Sequence, residues 1–398
     1  MTMGNKRAII VCTVGCFLDF ELNDIKILKS LGYAVYVATN FDSYEYMHQT
    51  LLEVGVSYCH QLQVDFTRSP FTSKVMRSFF ELVKILDRGH FSLMHCHTPV
   101  GGVIGRLAAK RYNDMQLRKG KEPMKVIYTA HGFHFYDGAP KKNWLLYYPV
   151  EKALSKYTDV LITINKEDFH RAKKDFHAKK TIYVPGVGVD TKKFESVSTS
   201  IDRDAKREEL CIDKDDILLL SIGELNENKN HRVVINALGE LKKAGRSNNN
   251  RIVYIIAGVG DTKPELEELA KMENVDVRFL GYRNDVSELL TAADLYILPS
   301  IREGLNVSLM EAMASGTPCL ASNIRGNVDL IDQDKGGQLF NPVDIDSAMS
   351  AIIKEIESRD KWQQQGNYNQ KKIRKFDISV IENDYKRIIG LIHGQYIQ

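Results

Sequence analysis

The chain alternates short apolar segments with amphipathic helical segments, and this alternation occurs twice along its length. Short apolar segments separated by helices are typical of parallel β-sheets built from right-handed β-α-β units. The first set of predicted strands comprises Arg7–Val14, Ala34–Thr39, Val56–Gln61, Leu93–His97, Lys125–Ala130, Val160–Asn165 and Thr181–Pro185. The second set comprises Ile217–Gly223, Ile252–Gly258, Val277–Leu280, Leu295–Pro299 and Pro318–Ala321. The pattern therefore predicts an α/β protein with two doubly wound, Rossmann-like sheets.

A change of composition separates the two sets of strands. The 398 residues exceed what one ordinary hydrophobic core holds, so two domains are expected. Between Pro185 and Ile217 the chain becomes polar, and Asp202–Glu209 is densely charged, which is typical of a domain boundary. We therefore predict a first domain over residues 1–186 and a second domain over residues 187–377.

The last amphipathic segment, Ile378–Ile392, lies far beyond the last strand of the second set. We expect it to form a helix that returns to the first domain, so that residues 378–398 belong with residues 1–186. Doubly wound sheets bind ligands at the carboxyl ends of their strands. Two such domains that face each other would form a cleft suited to a transfer between two substrates with water excluded.

Composition restricts the class of protein. The net charge is only +3, which argues against a nucleic-acid-binding protein. The N-terminal apolar run is short and acidic residues follow it, which favours a buried strand over a signal peptide. No segment approaches the ~20 apolar residues that cross a bilayer, so we expect a cytoplasmic protein. The cysteines form no C-x-x-C pair and are predicted to be buried, reduced thiols. They are Cys12, Cys16, Cys59, Cys96, Cys211 and Cys319.

The most informative segment is Ala293–Asn323. Within it the predicted strand Leu295–Pro299 leads into a loop that contains glycine. Asn306 is a suitable N-cap for a helix over Val307–Ser315, and Gly316 fits a left-handed cap at the end of that helix. The loop is therefore predicted to lie at the carboxyl end of a buried strand and at the N-terminus of a helix.

This loop has the chemistry of an anion site. Backbone N–H groups of Gly304, Leu305 and Asn306, at the positive end of the helix dipole, would suit a diphosphate. Glu303 lies in the same loop, and Glu311 in the helix is placed to accept hydrogen bonds from the vicinal hydroxyls of a ribose. Two glutamates at this spacing more often form a solvated helix face. Their position beside a strand end favours a site instead.

Glu303, Gly304 and Glu311, followed by Ala-Met-Ala-Ser-Gly-x-Pro, resemble the E-x7-E motif of the retaining glycosyltransferase family 4, which has the GT-B fold. Four further segments resemble family elements in the expected order: Pro185–Asp190, Ser221–Lys229, Ala257–Gly260 and Phe279–Tyr282. In the first domain, Tyr128–Asn165 is similar to enzymes of bacterial exopolysaccharide and capsule synthesis. The resemblance covers the whole second domain and part of the first.

The resemblance also implies roles for individual residues. Glu303, Lys229 and His131 would be catalytic, with Lys229 neutralising the departing diphosphate. The donor-binding residues would be Gly15, Lys229, Gly281, Tyr282, Glu303, Gly304, Leu305, Asn306 and Glu311. His97 and His134 would contact the acceptor. Many relatives carry an arginine where this chain has Glu224, so one expected cation is replaced by an acid.

The implied reaction is transfer of a hexose or N-acetylhexosamine, with retention, from a nucleotide diphosphate sugar. We expect a UDP-sugar, with GDP-mannose as the open alternative, and a free or polyprenyl-diphosphate-linked saccharide as acceptor. No metal is expected, because the D-x-D strings Asp202–Asp204, Asp213–Asp215 and Asp344–Asp346 lie in polar or helix-start contexts. The first-strand loop lacks a G-x-G-x-x-G fingerprint, which argues against a nicotinamide cofactor.

Two basic segments suggest contact with a membrane. Residues 106–125 are strongly basic, and Lys74–Arg88 is amphipathic. A lipid-linked acceptor would bring such segments to the anionic inner face of the cell membrane. The alternative is an ordinary solvated basic loop and a half-buried helix.

Two other functions fit the same architecture. One is a sugar-nucleotide epimerase or hydrolase, which would need an acid/base set around the sugar and no acceptor groove. The other is a non-catalytic subunit that binds a nucleotide sugar without turnover. Assays for epimer formation and donor hydrolysis would distinguish the enzymes, and nucleotide binding without turnover would indicate the subunit.

Overall fold

The computed structural model describes residues 6–69, 72–245, 251–392 and 394 of the chain. It divides into two compact units. The first unit contains Met1–Val187 and Ser379–Gln398, and the second contains Gly188–Ile378. Each division lies one residue from the predicted boundary, and each unit contains a parallel sheet with helices on its faces.

The sheet of the first unit has seven strands in the order β3-β2-β1-β4-β5-β6-β7, and all neighbouring strands are parallel. They are β1 (Arg7–Val14), β2 (Ala34–Asn40), β3 (Gln61–Gln63), β4 (Leu93–Cys96), β5 (Lys125–Ala130), β6 (Val160–Thr163) and β7 (Lys180–Tyr183). The interior strands are continuously apolar because both faces of the sheet are covered. The order reverses between β1 and β4, where a doubly wound sheet binds its ligand.

The helices of the first unit cover both faces of this sheet and form two hydrophobic cores. They are α1 (Leu22–Ser30), α2 (Tyr46–Glu53), α3 (Ser73–Gly89), α4 (Pro99–Arg118), α5 (Lys141–Ser155) and α6 (Lys166–Asp175). Short 3-10 helices form at Gly15–Phe20 and Tyr58–His60. One core centres on Ile9 and Val11, and the other on Ile10 and Ile127. Alternate residues of β1 thus enter opposite cores.

The second unit has a six-stranded parallel sheet in the order β10-β9-β8-β11-β12-β13. Its strands are β8 (Ile217–Ile222), β9 (Ile252–Ala257), β10 (Asp276–Gly281), β11 (Leu295–Leu298), β12 (Cys319–Ser322) and β13 (Gly337–Phe340). The order again reverses beside its first strand, between β8 and β11. The loop that carries Glu303 follows β11, so it lies at this reversal.

Nine helices of the second unit lie within its described residues. They are α7 (Thr191–Ser200), α8 (Arg203–Glu209), α9 (His231–Lys243), α10 (Lys263–Met272), α11 (Val286–Ala292), α12 (Val307–Ala314), α13 (Asn327–Leu330), α14 (Ile345–Glu357) and α15 (Trp362–Ile373). Short 3-10 helices form at Arg359–Lys361 and Arg374–Phe376. The helices α9, α10 and α14 contribute to one core with β8, β9 and β11.

The last helix, α16 (Ile378–Ile392), has the predicted bounds and packs in the first unit. Its buried residues Ile381, Tyr385, Ile388 and Ile389 lie in the same core as β1 and β5. These positions repeat at helical spacing and form one apolar stripe. The prediction that the C-terminal helix returns to the first unit is confirmed.

One strand prediction was wrong, and one strand was not predicted. Val56–Gln61 was predicted as a strand, but Tyr58–His60 forms a 3-10 helix and only Gln61–Gln63 pairs with β2. The Gln61 side chain donates to the Val56 carbonyl at 2.9 Å, which holds this segment in a turn beside the sheet edge. The strand β13 was not predicted. It is short, and it begins at Gly337, a residue that weakens a strand pattern.

The cysteines agree only in part with the expectation of buried thiols. Cys12, Cys96 and Cys319 are buried, whereas Cys59 and Cys211 are exposed in turns, and all six are free. Burial raises the pKa of Cys12 and that of Cys96 to about 12, so both thiols stay protonated at neutral pH. Cys12 and Cys96 therefore act as small apolar core residues.

Candidate active site

The loop after β11 joins the sheet of the second unit to α12. Asn306 caps this helix, since its side-chain oxygen accepts the backbone N–H of Leu309 at 3.0 Å. Gly326, in the loop after β12, approaches the Gly304 carbonyl so closely that an added Cβ would lie 2.2 Å from that oxygen. Its φ of +79° is also one that glycine favours. The loop around Gly304 is thus held by its neighbour and presents the N-terminus of α12.

Lys229 and Glu303 form an ion pair at the carboxyl end of this sheet. The Lys229 Nζ lies 2.7 Å from Glu303 Oε1, and the two side chains are 17% and 13% exposed. Two hydrogen bonds hold the loops together: Ile301 N–H to the Asn228 carbonyl at 2.8 Å and the Asn228 side chain to the Arg302 carbonyl at 3.0 Å. The structure therefore brings these two predicted catalytic residues into direct contact.

The loop after β8 comes close to the loop after β9. An added Cβ at Gly258 would lie 1.8 Å from the Gly223 carbonyl oxygen, and both glycines have positive φ. A side chain at position 258 would therefore force the loops apart. Since Lys229 follows Gly223 in the first of these loops, their close packing limits where its ammonium group can lie.

Glu311 lies inside α12 and is partly buried. Desolvation by burial raises the pKa of Glu311 to about 7, against an opposing effect of the Lys193 charge. A carboxylate held in such a place lacks solvent partners, so hydroxyl donors from a ligand would stabilise its ionised form. This is the behaviour expected of a residue that holds a ribose.

Glu311→Gln should stabilise the free protein at pH 8 but not at pH 4. The pKa of about 7 exceeds the ordinary value of 4.5, so the folded protein binds this proton more tightly than the unfolded chain. Protonated Glu311 therefore makes its full contribution to the free energy of unfolding below pH 4.5, and this contribution is lost as the pH rises through 7. Glutamine stays neutral, so its advantage at pH 8 should be roughly 1–3 kcal/mol.

The measurement is Tm against pH for the wild type and Glu311→Gln, repeated with UDP. The substitution should also weaken UDP binding, because the amide presents one acceptor oxygen where the carboxylate presents two. A Tm difference that is the same at pH 4 and pH 8 would contradict the effect of burial. UDP affinity equal to that of the wild type would contradict the ribose role.

Two further donor-binding predictions, Gly281 and Tyr282, fall at the same end of the sheet. Gly281 ends β10 with a φ of +69°, and Tyr282 after it is 76% exposed. β9 and β8 lie between β10 and β11, so Tyr282 lies at the same edge of the sheet but three strands away from the loop that carries Glu303. Sequence reasoning missed Arg325, which is only 7% exposed and donates from Nε to the Glu303 carbonyl at 3.2 Å.

The first unit brings a second group of polar side chains together, at the carboxyl ends of β4 and β5. Glu21 lies in the turn between the 3-10 helix after β1 and α1. Its Oε1 lies 3.1 Å from His97 Nδ1 and 3.3 Å from His131 Nε2, and these two nitrogens are 3.2 Å apart. The His131 and Phe17 rings meet edge to face, with ring centroids 4.8 Å apart. We call Glu21, His97 and His131 the carboxylate–histidine cluster.

Beneath this cluster lies a second layer of buried polar groups. His95 Nδ1 is 3.5 Å from Asp24 Oδ2, and its Nε2 is 2.8 Å from the Thr129 hydroxyl. The Thr129 hydroxyl lies 3.4 Å from the Tyr385 hydroxyl of α16. The C-terminal helix thus supplies one member of the network under the candidate site.

The two carboxyl groups in these layers have opposite pKa shifts. Burial disfavours ionisation of Glu21, but the charge and N–H groups of His97 and His131 outweigh it and hold the pKa of Glu21 well below normal. Burial and the nearby Glu21 charge raise the pKa of Asp24 well above normal. Burial also lowers the pKa of His95 and that of His97. The surroundings therefore favour the ionised form of Glu21 and the protonated form of Asp24.

The other predicted site residues of the first unit, His97, His134 and Gly15, each have different surroundings. His97 is completely buried, so its imidazole has no direct access to an acceptor in this conformation. His134 stacks on Tyr147 of α5, with ring centroids 4.6 Å apart. Gly15 packs against Tyr44, where an added Cβ would lie 2.9 Å from the Tyr44 Cβ. Of the four predicted positions, only His131 is a partly exposed member of the cluster, with 20% of its side chain accessible.

Sequence reasoning missed Glu21 and Asp24 as functional candidates. Their signal was a polar stretch directly after the first strand, where the loop of a doubly wound sheet meets its ligand. Two overlapping sets of these side chains have the composition and spacing of metal ligands: Glu21, His97 and His131, and Asp24, His95 and His97. Within each set the ligand atoms lie within 4.8 Å of one another.

Comparison with known proteins decides the family. Residues 202–372 match the family "Glycosyl transferases group 1", and residues 16–165 match the family "Glycosyl transferase 4-like". The chain is 38% identical over 339 residues to the putative glycosyltransferase EpsD of Bacillus subtilis, covering 84% of this chain and 83% of EpsD. The chain is a GT-B glycosyltransferase of the bacterial exopolysaccharide type.

Other relatives place the glycosyltransferase in the same group. It is 31% identical over 290 residues to the Escherichia coli UDP-Gal:alpha-D-GlcNAc-diphosphoundecaprenol alpha-1,3-galactosyltransferase, covering 71% of this chain and 70% of that enzyme. Among solved structures it resembles Anabaena Alr3699/HepE in complex with UDP, with a TM-score of 0.75 and 18% identity over 97% of this chain and all of that one. This structural likeness shows the fold.

Proposed function

We propose that this glycosyltransferase belongs to the retaining family 4 and transfers a hexose or N-acetylhexosamine from a UDP-sugar to a lipid-linked saccharide. The observation that carries the proposal is the contact between Lys229 and Glu303 beside the N-terminus of α12, with Glu311 in the same helix. These groups suit a sugar, a diphosphate and a ribose in one site. The E. coli relative, named for a UDP-galactose donor and a diphosphoundecaprenol acceptor, supports the substrate classes.

In the proposed mechanism the second unit binds the donor and the first unit binds the acceptor. The diphosphate lies at the N-terminus of α12, where backbone N–H groups and the Lys229 ammonium stabilise the charge that develops as the sugar departs. Glu311 holds the ribose and Glu303 lies beside the sugar. The acceptor hydroxyl attacks from the face that the diphosphate leaves, which retains the configuration. His131 contacts the sugar or the acceptor at this stage.

We further propose that this transfer needs no metal ion. The stabilisation that Mg²⁺ supplies in other transferases would come here from Lys229 and the helix dipole. Two of the D-x-D strings serve another purpose, since Asp202 and Asp344 cap α8 and α14 through backbone N–H groups. Their carboxylates are therefore already engaged.

The test is a transfer assay with the full chain and a panel of UDP-sugars, using N-acetylglucosaminyl-diphosphoundecaprenol as acceptor, with EDTA or Mg²⁺. We expect metal-independent transfer from one UDP-sugar, with α-anomeric product, and a rise in Tm with UDP. Release of free sugar or an epimer without transfer would favour the hydrolase or epimerase. UDP binding without any turnover would indicate a non-catalytic subunit. If neither UDP nor GDP shifted the Tm, the proposal of a nucleotide-sugar site would be contradicted.

We propose that a surface on α5 holds the protein at an anionic membrane. The predicted segments are only partly available for such a contact: Arg106 is completely buried and Leu82 and Leu86 of α3 lie in the core, whereas Met76 and Phe80 of α3 are 60% and 50% exposed. By contrast, Leu145 of α5 is 79% exposed and Leu146 is 48% exposed. Within the described residues, no helix has the length and hydropathy needed to span a bilayer.

The charges next to these leucines favour anionic lipid. Lys141 and Lys142 form the first turn of α5, directly before Leu145 and Leu146. Exposed apolar side chains beside lysines suit the interface of an anionic bilayer. The surface would bring the first unit to the lipid that carries the acceptor, at the cytoplasmic face of the membrane.

Replacing Leu145 and Leu146 together by serine should reduce binding to vesicles that contain phosphatidylglycerol by about tenfold, since each change removes an apolar side chain that would insert into the bilayer interface. Sedimentation with vesicles measures the bound fraction. Met272→Ser is the matched control, because Met272 is 69% exposed at the end of α10 in the second unit. Equal loss in the control, or binding unaffected by the leucine changes, would contradict the assignment.

A further inference from the structure

We propose that Glu21 is a positioning residue that fixes the imidazole of His131 for its contact with the reacting substrates. The inference rests on the proposed function for the identity of those substrates. It concerns a residue that no sequence motif singles out. The contacts of the carboxylate–histidine cluster carry it.

Three contacts determine where the His131 ring lies. Glu21 Oε1 lies 3.3 Å from its Nε2, His97 Nδ1 lies 3.2 Å from the same nitrogen, and the Phe17 ring packs nearly perpendicular to it. Glu21 also lies 3.1 Å from His97, so the three atoms form a nearly equilateral triangle. The carboxylate thus acts on His131 both directly and through His97.

Burial makes this arrangement specific. Glu21 and His97 are 1% and 0% exposed, whereas His131 alone reaches the surface. In a buried place a charge is stable only beside its partners, so the position of the carboxylate is closely tied to the two imidazoles. The arrangement resembles a buried carboxylate that orients the imidazole of a catalytic histidine without contacting the substrate itself.

The surrounding groups favour Glu21 as the ionised member. Cys12 of β1, Asp24 of α1, His95 of β4 and Tyr385 of α16 are further buried titratable groups around the cluster. Burial keeps the Cys12 thiol and the His95 imidazole neutral. Burial, with the Glu21 charge, raises the pKa of the Tyr385 phenol well above its ordinary value. Burial and the Glu21 charge also raise the pKa of Asp24 well above its ordinary value. Glu21 is therefore the carboxyl group of this region whose ionised form its surroundings favour.

The test is Glu21→Gln, which keeps the shape of the side chain and removes its charge. We expect kcat for transfer from the UDP-sugar to fall about a hundredfold while the KM for that donor changes little, since the donor binds mainly to the second unit. His131→Ala should show a loss at least as large. Combining the two changes should cost less than a further twofold relative to His131→Ala, because both remove one function.

A matched control removes a different buried carboxylate. Glu355 of α14 is completely buried in the second unit, and Glu355→Gln should leave kcat within twofold of the wild type. Losses that multiply in the double variant would overturn the proposal, as would full activity of Glu21→Gln. Inhibition of the wild type by EDTA with restoration by Zn²⁺ would also overturn it and identify the cluster as a metal site instead.

A spectroscopic readout separates this inference from the proposed function. The imidazole Cε1–H signal of His131, assigned with His131→Ala, should shift and broaden in Glu21→Gln and stay unchanged in Glu355→Gln. If no UDP-sugar is transferred by the wild type, the proposed function fails while this signal still tests the positioning. An unchanged His131 signal in Glu21→Gln would overturn the inference even if the enzyme is an active transferase.

Discussion

Lys229→Met should lower kcat for sugar transfer by about 10²- to 10³-fold, the range typical when one group that stabilises a developing negative charge is removed. Methionine keeps the length of the side chain and loses the ammonium. The charge on the departing diphosphate then has the N-terminus of α12 but no cation at this place. The resemblance implies that Glu224 stands where many relatives carry an arginine, so we expect Lys229 to matter more here than in those enzymes.

Steady-state kinetics with the active UDP-sugar measure this effect, and UDP binding by calorimetry shows how much of it arises in the ground state. Lys179→Met is the matched control. Its Nζ also lies 2.7 Å from a carboxylate, Asp159, but at the amino-terminal end of the strands of the first unit. A kcat for Lys229→Met within threefold of the wild type would rule out the leaving-group role. The same loss in the control would point to a general effect of removing a lysine.

Arg106→Met should destabilise the first unit by about 3–5 kcal/mol, the usual cost of removing one partner of a buried ion pair. The Arg106 guanidinium donates to Glu151 at 2.8 Å and to the Gly102 carbonyl at 2.8 Å, and it lies 3.9 Å from the centre of the Tyr128 ring. Without it, the Glu151 carboxylate stays buried without its countercharge. The pair links α4 to α5, so loss of the arginine should also loosen the helix that carries Leu145.

Urea unfolding followed by tryptophan fluorescence can isolate this unit. The chain has two tryptophans, and Trp144 lies in α5, the helix that carries Glu151. In a Trp362→Phe background the signal therefore reports on the first unit alone. Lys110→Met is the matched control, since Lys110 forms an exposed pair with Asp114 on the same helix at 2.6 Å. It should change the unfolding free energy by less than about 0.5 kcal/mol, and an equal effect of the two variants would contradict the role of burial.

The sequence predicted the features that depend on local patterns. The strands Arg7–Val14 and Lys125–Ala130 and the helix Ile378–Ile392 have the bounds expected from their apolar spacing. Asn306 caps α12, and Gly316 takes a φ of +79°, as its position after the helix required. Each of these follows from residues within a few positions of one another, and local chemistry is what a sequence shows directly.

Features that depend on contacts between distant segments could not be predicted in the same way. Arg106 appeared to be one of several surface cations because its sequence neighbours are basic, yet its partner lies 45 residues away in the next helix. Glu21 meets His97 and His131 only because β1, β4 and β5 are adjacent in the sheet. The spacing of residues within one segment does not predict a contact between distant segments. Glu21 was therefore not recognised as a site residue in its polar loop.

The return of α16 to the first unit has a consequence for how the chain folds during synthesis. The second unit has all its residues once position 378 has left the ribosome, whereas the first unit still lacks the helix that covers Ile10 and Ile127. The part of the chain that is made first is therefore completed last. Until α16 arrives, an apolar face of the nascent first unit stays open to chaperones or to aggregation.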